Sequence, residues 1–76
     1  MNQKLKQALI DGLIGTRDIE TLAEVFEGYV IFNPDTYTII DAKTKYNDAL
    51  AVMRRHPAVD LAAIECGQTR LVTWTL

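Results

Sequence analysis

The sequence predicts an α+β fold in which two N-terminal helices precede a ββαββ unit that forms a small antiparallel sheet packed against helices. Two observations carry this prediction. Apolar residues recur at helical spacing up to Phe26, whereas β-branched and aromatic residues dominate the segments "YVIF" and "TYTIID" that follow. Turn-forming residues then divide the later strand-like segments into pairs, which is the pattern of hairpins.

Composition and charge restrict the classes of function. The chain has 76 residues, 49% hydrophobic and 24% charged, and we expect one globular domain over 1–76. A formal net charge of −2 disfavours nucleic acid as a partner. Cys66 and His56 are the only residues of their types, so neither a disulfide within the chain nor a four-ligand zinc site can form. No apolar run approaches the roughly 20 residues of a membrane span. We expect a cytoplasmic protein without cofactor, metal or membrane partner.

The first helix is predicted over residues 2–14, and its apolar arc is unusually wide. Its main stripe, taken as the face that meets the core, is Leu5, Ala8, Leu9, Gly12 and Leu13. Ile10 and Ile14 fall outside that stripe. Such an arc is either buried on two sides or shared with a partner, so Ile10 and Ile14 are the predicted protein-interface residues.

The second helix is expected to start at Thr16 as its N-cap, with Asp18 and Glu20 in a first turn where the helix dipole favours negative charge. Gly28 is expected to end this helix. Its apolar stripe is Ile19, Leu22, Ala23 and Phe26.

The segment 33–41 has two interpretations. "NPD" is a turn signal between "YVIF" and "TYTIID", which favours a hairpin in which Val30, Phe32, Tyr37 and Ile39 share one face. The alternative starts a helix at Asn33 with proline in its first position. The threonines and isoleucines that follow favour the hairpin.

A third helix is predicted to run from Asp41 as its cap to about His56, and Pro57 ends it. Its apolar stripe is Ala42, Tyr46, Ala49, Leu50 and Met53. The two hairpins that bracket this helix most simply make a four-stranded antiparallel sheet with its helices on one face.

The final hairpin lies in "LAAIECGQTRLVTWTL", where Gly67 can occupy the first central position of a type II′ turn. The register of that turn pairs Glu65 with Arg70, Ala63 with Val72 and Leu61 with Trp74.

Catalytic chemistry finds no support in the sequence, and we expect a protein that is not an enzyme. There is no serine, and His56 directly precedes Pro57, so a Ser-His-Asp arrangement cannot form. Cys66 lies in a predicted strand, where a lone cysteine is more often a small apolar residue than a nucleophile. The glycines are dispersed at stops and turns and form no phosphate-binding loop.

Nucleic-acid binding is the alternative function. The stretch "KTKYNDALAVMRRHPAVDLAAIECGQTRLVTWTL" resembles the recognition helix and wing of winged-helix regulators. At 100° per residue, Lys43, Asn47 and Arg54 fall along one edge of this helix. A groove-reading helix uses such an edge, with Gln68 and Arg70 of the hairpin tip as further DNA contacts. The same edge is equally typical of a solvated helix flank. About fourteen residues separate this helix from the preceding one, whereas a helix-turn-helix uses a turn of about 3–4 residues.

The leading hypothesis is a non-catalytic regulatory or inhibitory binding protein that acts by protein–protein contact. A homodimer through the first helix would cover its wide apolar arc. Small proteins without a catalytic site are common among phage and mobile-element products that redirect a host factor, and this class is our expectation. The sequence does not identify the partner.

Overall fold

The structure, a computed structural model, describes residues 3–72 and confirms the predicted order of helices and strands. The helices of this part of the chain are α1 (Gln3–Leu13), α2 (Ile19–Val25) and α3 (Tyr46–Arg55). Its strands are β1 (Gly28–Phe32), β2 (Ile39–Lys43), β3 (Asp60–Glu65) and β4 (Gln68–Leu71). The fold is therefore α+β, with the third helix between two hairpins.

The four strands form one antiparallel sheet in the order β2-β1-β3-β4. The prediction that all helices lie on one face is wrong, because α1 and α2 pack on one face and α3 packs on the other. The central strands explain the difference. Val30 and Phe32 face α1 and α2, and Ile31 faces α3. Both faces of β1 are therefore apolar, and each is buried by helices.

Two groups of buried residues form the core, one on each face of the sheet. The α1–α2 core contains Ile10, Leu13, Leu22, Ala23, Phe26, Val30, Phe32, Ile39, Ala62 and Ile64. The α3 core contains Ile31, Ala49, Val52, Met53, Val59 and Leu61. The predicted stripe of α2 is confirmed, since Leu22, Ala23 and Phe26 are buried and Ile19 packs against them.

Helix α1 is rotated relative to the prediction. Of the predicted stripe only Leu13 is buried, whereas Leu5 is 62% and Leu9 is 37% exposed. Ile10 is 6% exposed instead, and Ile14 packs against the α1–α2 core. Backbone hydrogen bonds just beyond the helix fix this orientation. The N–H of Gly15 donates to the carbonyl of Ile39 at 2.7 Å, and the N–H of Ile39 donates to the carbonyl of Thr16 at 2.8 Å. The end of α1 is therefore tied to β2, and its isoleucine face lies against the core.

The N-cap of α2 is Asp18 and not Thr16. The Asp18 carboxylate accepts hydrogen bonds from the Thr21 hydroxyl at 2.7 Å and from the Thr21 N–H at 3.1 Å. The hydrogen bond from the hydroxyl has the larger effect and the one from the N–H the smaller, and together they hold the pKa of Asp18 below its ordinary value. The Thr16 hydroxyl instead donates to the carbonyl of Leu13 at 2.7 Å, which satisfies a C-terminal carbonyl of α1.

Helix α3 starts later than predicted, because β2 continues to Lys43, which lies opposite Tyr29 of β1. Asp41 is therefore a strand residue and does not cap α3; the helix has no side-chain cap. Lys43, which the prediction placed on this helix, lies on β2. The buried face of α3 is Ala49, Val52 and Met53, while Tyr46 is 36% exposed.

The first hairpin forms as predicted, with one correction. The Asn33 side chain accepts hydrogen bonds from the N–H groups of Asp35 and Thr36, at 2.8 and 3.3 Å, which builds the turn. Val30, Phe32 and Ile39 share a face in the α1–α2 core. Tyr37 lies in the loop with a φ of 61° and not in the strand, because β2 begins at Ile39.

The second hairpin turns one residue earlier than predicted. Cys66 and Gly67 occupy the two central positions with φ of 52° and 76°, as a type I′ turn requires, so the predicted type II′ turn is wrong. Glu65 therefore pairs with Gln68, and Ala63 pairs with Arg70. The predicted pairing of Leu61 with Trp74 reaches outside the described residues.

Candidate protein-binding surface

An apolar groove of about 360 Å³ opens on the α1–α2 side of the sheet, beside β4. We call it the β4 groove. The buried residues Phe32 and Ala62 lie at its base, since both belong to the sheet. Its sides are formed by Ile19, Pro34, Tyr37 and Leu71. The groove thus joins α2, the loop of the first hairpin and the last hairpin.

The loop of the first hairpin holds Tyr37 in place. The Tyr37 N–H donates to the carbonyl of Asn33 at 2.6 Å, and the Asn33 N–H donates to the carbonyl of Thr38 at 2.9 Å. The Tyr37 ring stacks on the buried Phe32 ring, with centroids 6.1 Å apart and an interplanar angle of 7°. Tyr37 is nevertheless 60% exposed. A large aromatic surface is therefore fixed in one orientation at the groove.

Strand β4 forms the open side of the groove. It is an edge strand, and all of its residues are exposed, Leu71 by 68%. The Val72 N–H donates to the carbonyl of Leu61 at 2.9 Å, so by alternation the N–H and C=O groups of Thr69 and Leu71 point away from β3. The side chains of Thr69 and Leu71 lie on the groove side, because they pair with Ile64 and Ala62.

The charged residues that line the groove are both acidic. Glu20 is in the first turn of α2, and Asp60 is the first residue of β3. Glu20 also lines a smaller depression that reaches Gly67 and Thr69, so it lies toward the turn end of β4. Asp60 lies beyond the pair formed by Ala62 and Leu71, at the opposite end. The apolar centre of the groove is therefore flanked by one carboxylate at each end.

The predicted interface residues do not form a surface. Ile10 is buried and Ile14 is partly buried, both against the α1–α2 core. The apolar face that α1 presents to solvent is instead Leu5, Ala8, Leu9 and Gly12. Their i, i+3, i+4, i+7 spacing is visible in the sequence, but the spacing does not tell which of two apolar faces meets the core.

The residues predicted for nucleic-acid contact lie on three different elements, β2, α3 and β4. Lys43 forms an ion pair with Asp41 on edge strand β2, with nitrogen and oxygen 3.6 Å apart. Gln68 and Arg70 are exposed on β4, the opposite edge, about 14 Å away at three strand spacings. Asn47 and Arg54 are exposed on α3.

The helix arrangement also departs from a helix-turn-helix. Strands β1 and β2 lie between α2 and α3, whereas a helix-turn-helix joins its helices by a short turn. The structure therefore places Gln68 and Arg70 together on β4 but Lys43 on the opposite edge of the sheet, and a hairpin separates the two helices of the motif.

The groups that could support catalysis lie apart. His56 precedes β3 and Cys66 follows it, so a six-residue strand, about 20 Å long, separates them. Among residues 3–72, no three His, Cys, Asp or Glu side chains cluster as metal ligands would. In the same part of the chain, every buried side-chain nitrogen or oxygen has a hydrogen-bond partner.

The larger depression on the surface is polar and mixed in charge. It has a volume of about 620 Å³, lies between α1 and α2, and is lined by Lys6, Glu24 and Glu27 among others. The β4 groove is apolar and is lined by exposed Tyr37 and Leu71, so we assign the candidate protein-binding site to the β4 groove.

Comparison with known proteins adds no relative: no family model matches this chain, and no curated protein or solved structure matches it. Within residues 3–72, none of the helices has the length and apolar run needed to cross a membrane.

Proposed function

We propose that this protein is a non-catalytic regulatory or inhibitory binding protein that acts by protein–protein contact through the β4 groove. One observation carries the proposal. Of the five large hydrophobic side chains exposed among the described residues, two, Tyr37 and Leu71, line the same apolar groove. Scattered apolar side chains are normal on a protein surface, whereas apolar side chains gathered around a groove are typical of a binding site.

The chemistry of Tyr37 supports this use. A tyrosine offers a large contact area with few rotatable bonds, and aromatic anchors dominate the energetics of protein interfaces. Stacking on Phe32 already orients the ring, so a partner would not need to order it. The proposal includes a cytoplasmic location, which the exposed free thiol of Cys66 supports, because reducing compartments keep such thiols unpaired. Inhibition of a host factor, as by phage products, remains the class of role that we propose.

Affinity capture with matched variants tests the proposal. The baits are the wild-type protein, Leu71→Asp in the groove, and Gln68→Asp as the control on the same strand with its side chain on the other face. We expect the wild type and Gln68→Asp to retain the same nuclease-resistant partner and Leu71→Asp to lose it. Circular dichroism should show all three folded. Equal capture by Leu71→Asp, or loss of the partner after nuclease treatment, would contradict the proposal.

The chain also carries a surface suited to a second copy of itself, and we propose a homodimer through α1. Leu5 and Leu9 project from a face that also carries Ala8 and Gly12. In an antiparallel pair, Leu5 of one copy lies over Gly12 of the second copy and Leu9 lies over Ala8. Large side chains then pack against small ones on both sides of the two-fold axis.

Charge supports the same arrangement. Lys4 and Asp11 are exposed and seven residues apart, which places them on the same flank of α1. In an antiparallel dimer, this flank of one helix meets the same flank of the other helix, which runs in the opposite direction. Lys4 of each copy therefore lies beside Asp11 of the other. The helix is short, and we expect a weak dimer because its contact area is well below the roughly 800 Å² per partner of a standard interface.

A further inference from the structure

The outer edge of β4 can pair with another strand. The N–H and C=O groups of Thr69 and Leu71 point outward, and within residues 3–72 no strand lies beyond β4. Such an edge is a template on which an extended segment adds by backbone hydrogen bonds. The side chains of an added strand alternate between the two faces, so every second one lies on the groove side.

The groove specifies what those groove-side residues should be. Its centre is apolar, between Tyr37 and Leu71, and accepts an apolar side chain. Glu20 lies toward the turn end of β4 and Asp60 toward the other end, so each flanking side chain of an added strand has a carboxylate on its side of the groove. Groove-side neighbours on a strand are two residues apart, about 7 Å. The favoured pattern is therefore basic, any residue, apolar, any residue, basic.

We infer that β4 accepts an extended segment of a partner protein as a fifth strand, with one apolar side chain in the β4 groove and a Lys or Arg two residues away on each side. The inference rests on the proposed function and adds the chemistry of the partner segment. The edge supplies backbone pairing, the groove selects the apolar residue, and the two carboxylates select the flanking charges.

A second copy of this chain fits the groove less well. If β4 paired antiparallel with β4 of another copy, about a two-fold axis perpendicular to the sheet, Thr69 and Leu71 would again lie on the groove side, because that axis keeps each face of the sheet on its own side. Arg70, the cation of that strand, would lie on the opposite face of the sheet. No positive charge would then reach Glu20 or Asp60, so charge complementarity favours a basic segment from another protein.

A blocked heptapeptide, Thr-Lys-Thr-Leu-Thr-Lys-Thr, is the probe for this inference, with the same peptide carrying Glu in place of both Lys as the charge control. Backbone amide shifts of the labelled full-length protein report binding, and amide hydrogen exchange reports strand pairing. We expect the lysine peptide to bind and to slow exchange at Thr69 and Leu71. The glutamate peptide should bind at least about tenfold more weakly, because two attractive pairs become repulsive.

Backbone methylation distinguishes strand addition from simple groove contact. The N–H groups of alternate residues in a strand point to opposite edges, so N-methylation of the odd or of the even residues blocks opposite edges. We expect one methylated series to lose binding and the other to retain it. Equal binding by both series, or no binding of the lysine peptide, would overturn the inference. If no peptide binds while Leu71→Asp still loses its captured partner, strand addition is wrong and the proposed function stands; if Leu71→Asp loses nothing, the proposed function fails.

Discussion

A Cβ atom added to Gly28 would lie 2.6 Å from the carbonyl oxygen of Lys43, closer than real Cβ atoms approach. It would also lie 2.9 Å from the ring of Phe26, and the φ of Gly28 is 150°. The glycine predicted as a helix stop is thus the first residue of β1, where the backbone of β2 passes close to it. Only glycine combines this conformation with this approach.

Gly28→Ala is therefore expected to destabilise the protein. The strained φ and the overlap with backbone atoms each cost about 1–3 kcal/mol. Gly12→Ala is the matched control, since nothing lies within 4 Å of a Cβ at that helical position. Alanine there should raise the free energy of unfolding by about 0.5–1 kcal/mol. Urea denaturation measures both, and a stable Gly28→Ala variant would contradict the observed approach of β1 to β2.

Ile10→Asp should unfold the protein, whereas Leu9→Asp should not. Ile10 is 6% exposed and contributes to the α1–α2 core, so a carboxylate there is desolvated without a partner and costs several kcal/mol. Leu9 is 37% exposed, and the same substitution should change the free energy of unfolding by less than about 1 kcal/mol. Circular dichroism during thermal unfolding compares the two variants. If Leu9→Asp were the less stable variant, Leu9 and not Ile10 would face the core, as the sequence predicted.

Tyr37→Asn should weaken partner binding with little loss of stability. Asparagine tolerates the positive φ of 61° better than most residues, and the tyrosine ring is largely exposed. We expect the free energy of unfolding to fall by about 1 kcal/mol or less, because the ring stack on Phe32 is lost. Tyr46→Asn, at an exposed tyrosine of α3, is the control that should retain the captured partner. Loss of capture in both variants would show that the effect is not specific to the groove.

Acid should weaken the start of α2 through Asp18. The pKa of Asp18 is lowered in the folded protein by its hydrogen bonds from Thr21, so its stabilising contribution is fully present above the ordinary value of 3.8. That contribution is lost as the pH falls from about this value through the lower folded pKa. Asp18→Asn removes the titrating group, so the free energy of unfolding of this variant should fall less steeply than that of the wild type over that range of acid pH. Carboxyl NMR titration gives the folded pKa directly, and a value at or above 3.8 would contradict the capping contacts.

Charge exchange along α1 should control self-association. Asp11→Lys places Lys4 of one copy beside a second lysine, twice per dimer, and should weaken the dimer by about tenfold. Lys4→Asp combined with Asp11→Lys restores opposite charges and should restore the affinity. Analytical ultracentrifugation at low salt measures the three proteins. A double variant no tighter than Asp11→Lys would show that these flanks do not meet.

Three features follow from the amino-acid sequence alone: the order and type of the elements, the turn built by Asn33 and the buried stripe of α2. These features depend on local chemistry, because turn residues, β-branched residues and apolar spacing act within a few positions of one another. The start of α3 could not be predicted from local sequence. Asp is a favoured N-cap residue, but Asp41 pairs with Ile31 as a strand residue. Pairing with another strand overrode a local preference.

Three other features depend on tertiary contacts: the choice of the buried face of α1, the packing of helices on both faces of the sheet, and the position of Tyr37 and Leu71 at one groove. The periodicity of α1 contains two apolar faces, and the backbone bonds that link Gly15 and Thr16 to Ile39 choose between them. The groove joins residues from two different hairpins, so it exists only because β3 pairs with both β1 and β4. Burial and surface geometry depend on which distant segments become neighbours, and one-dimensional spacing does not contain that information.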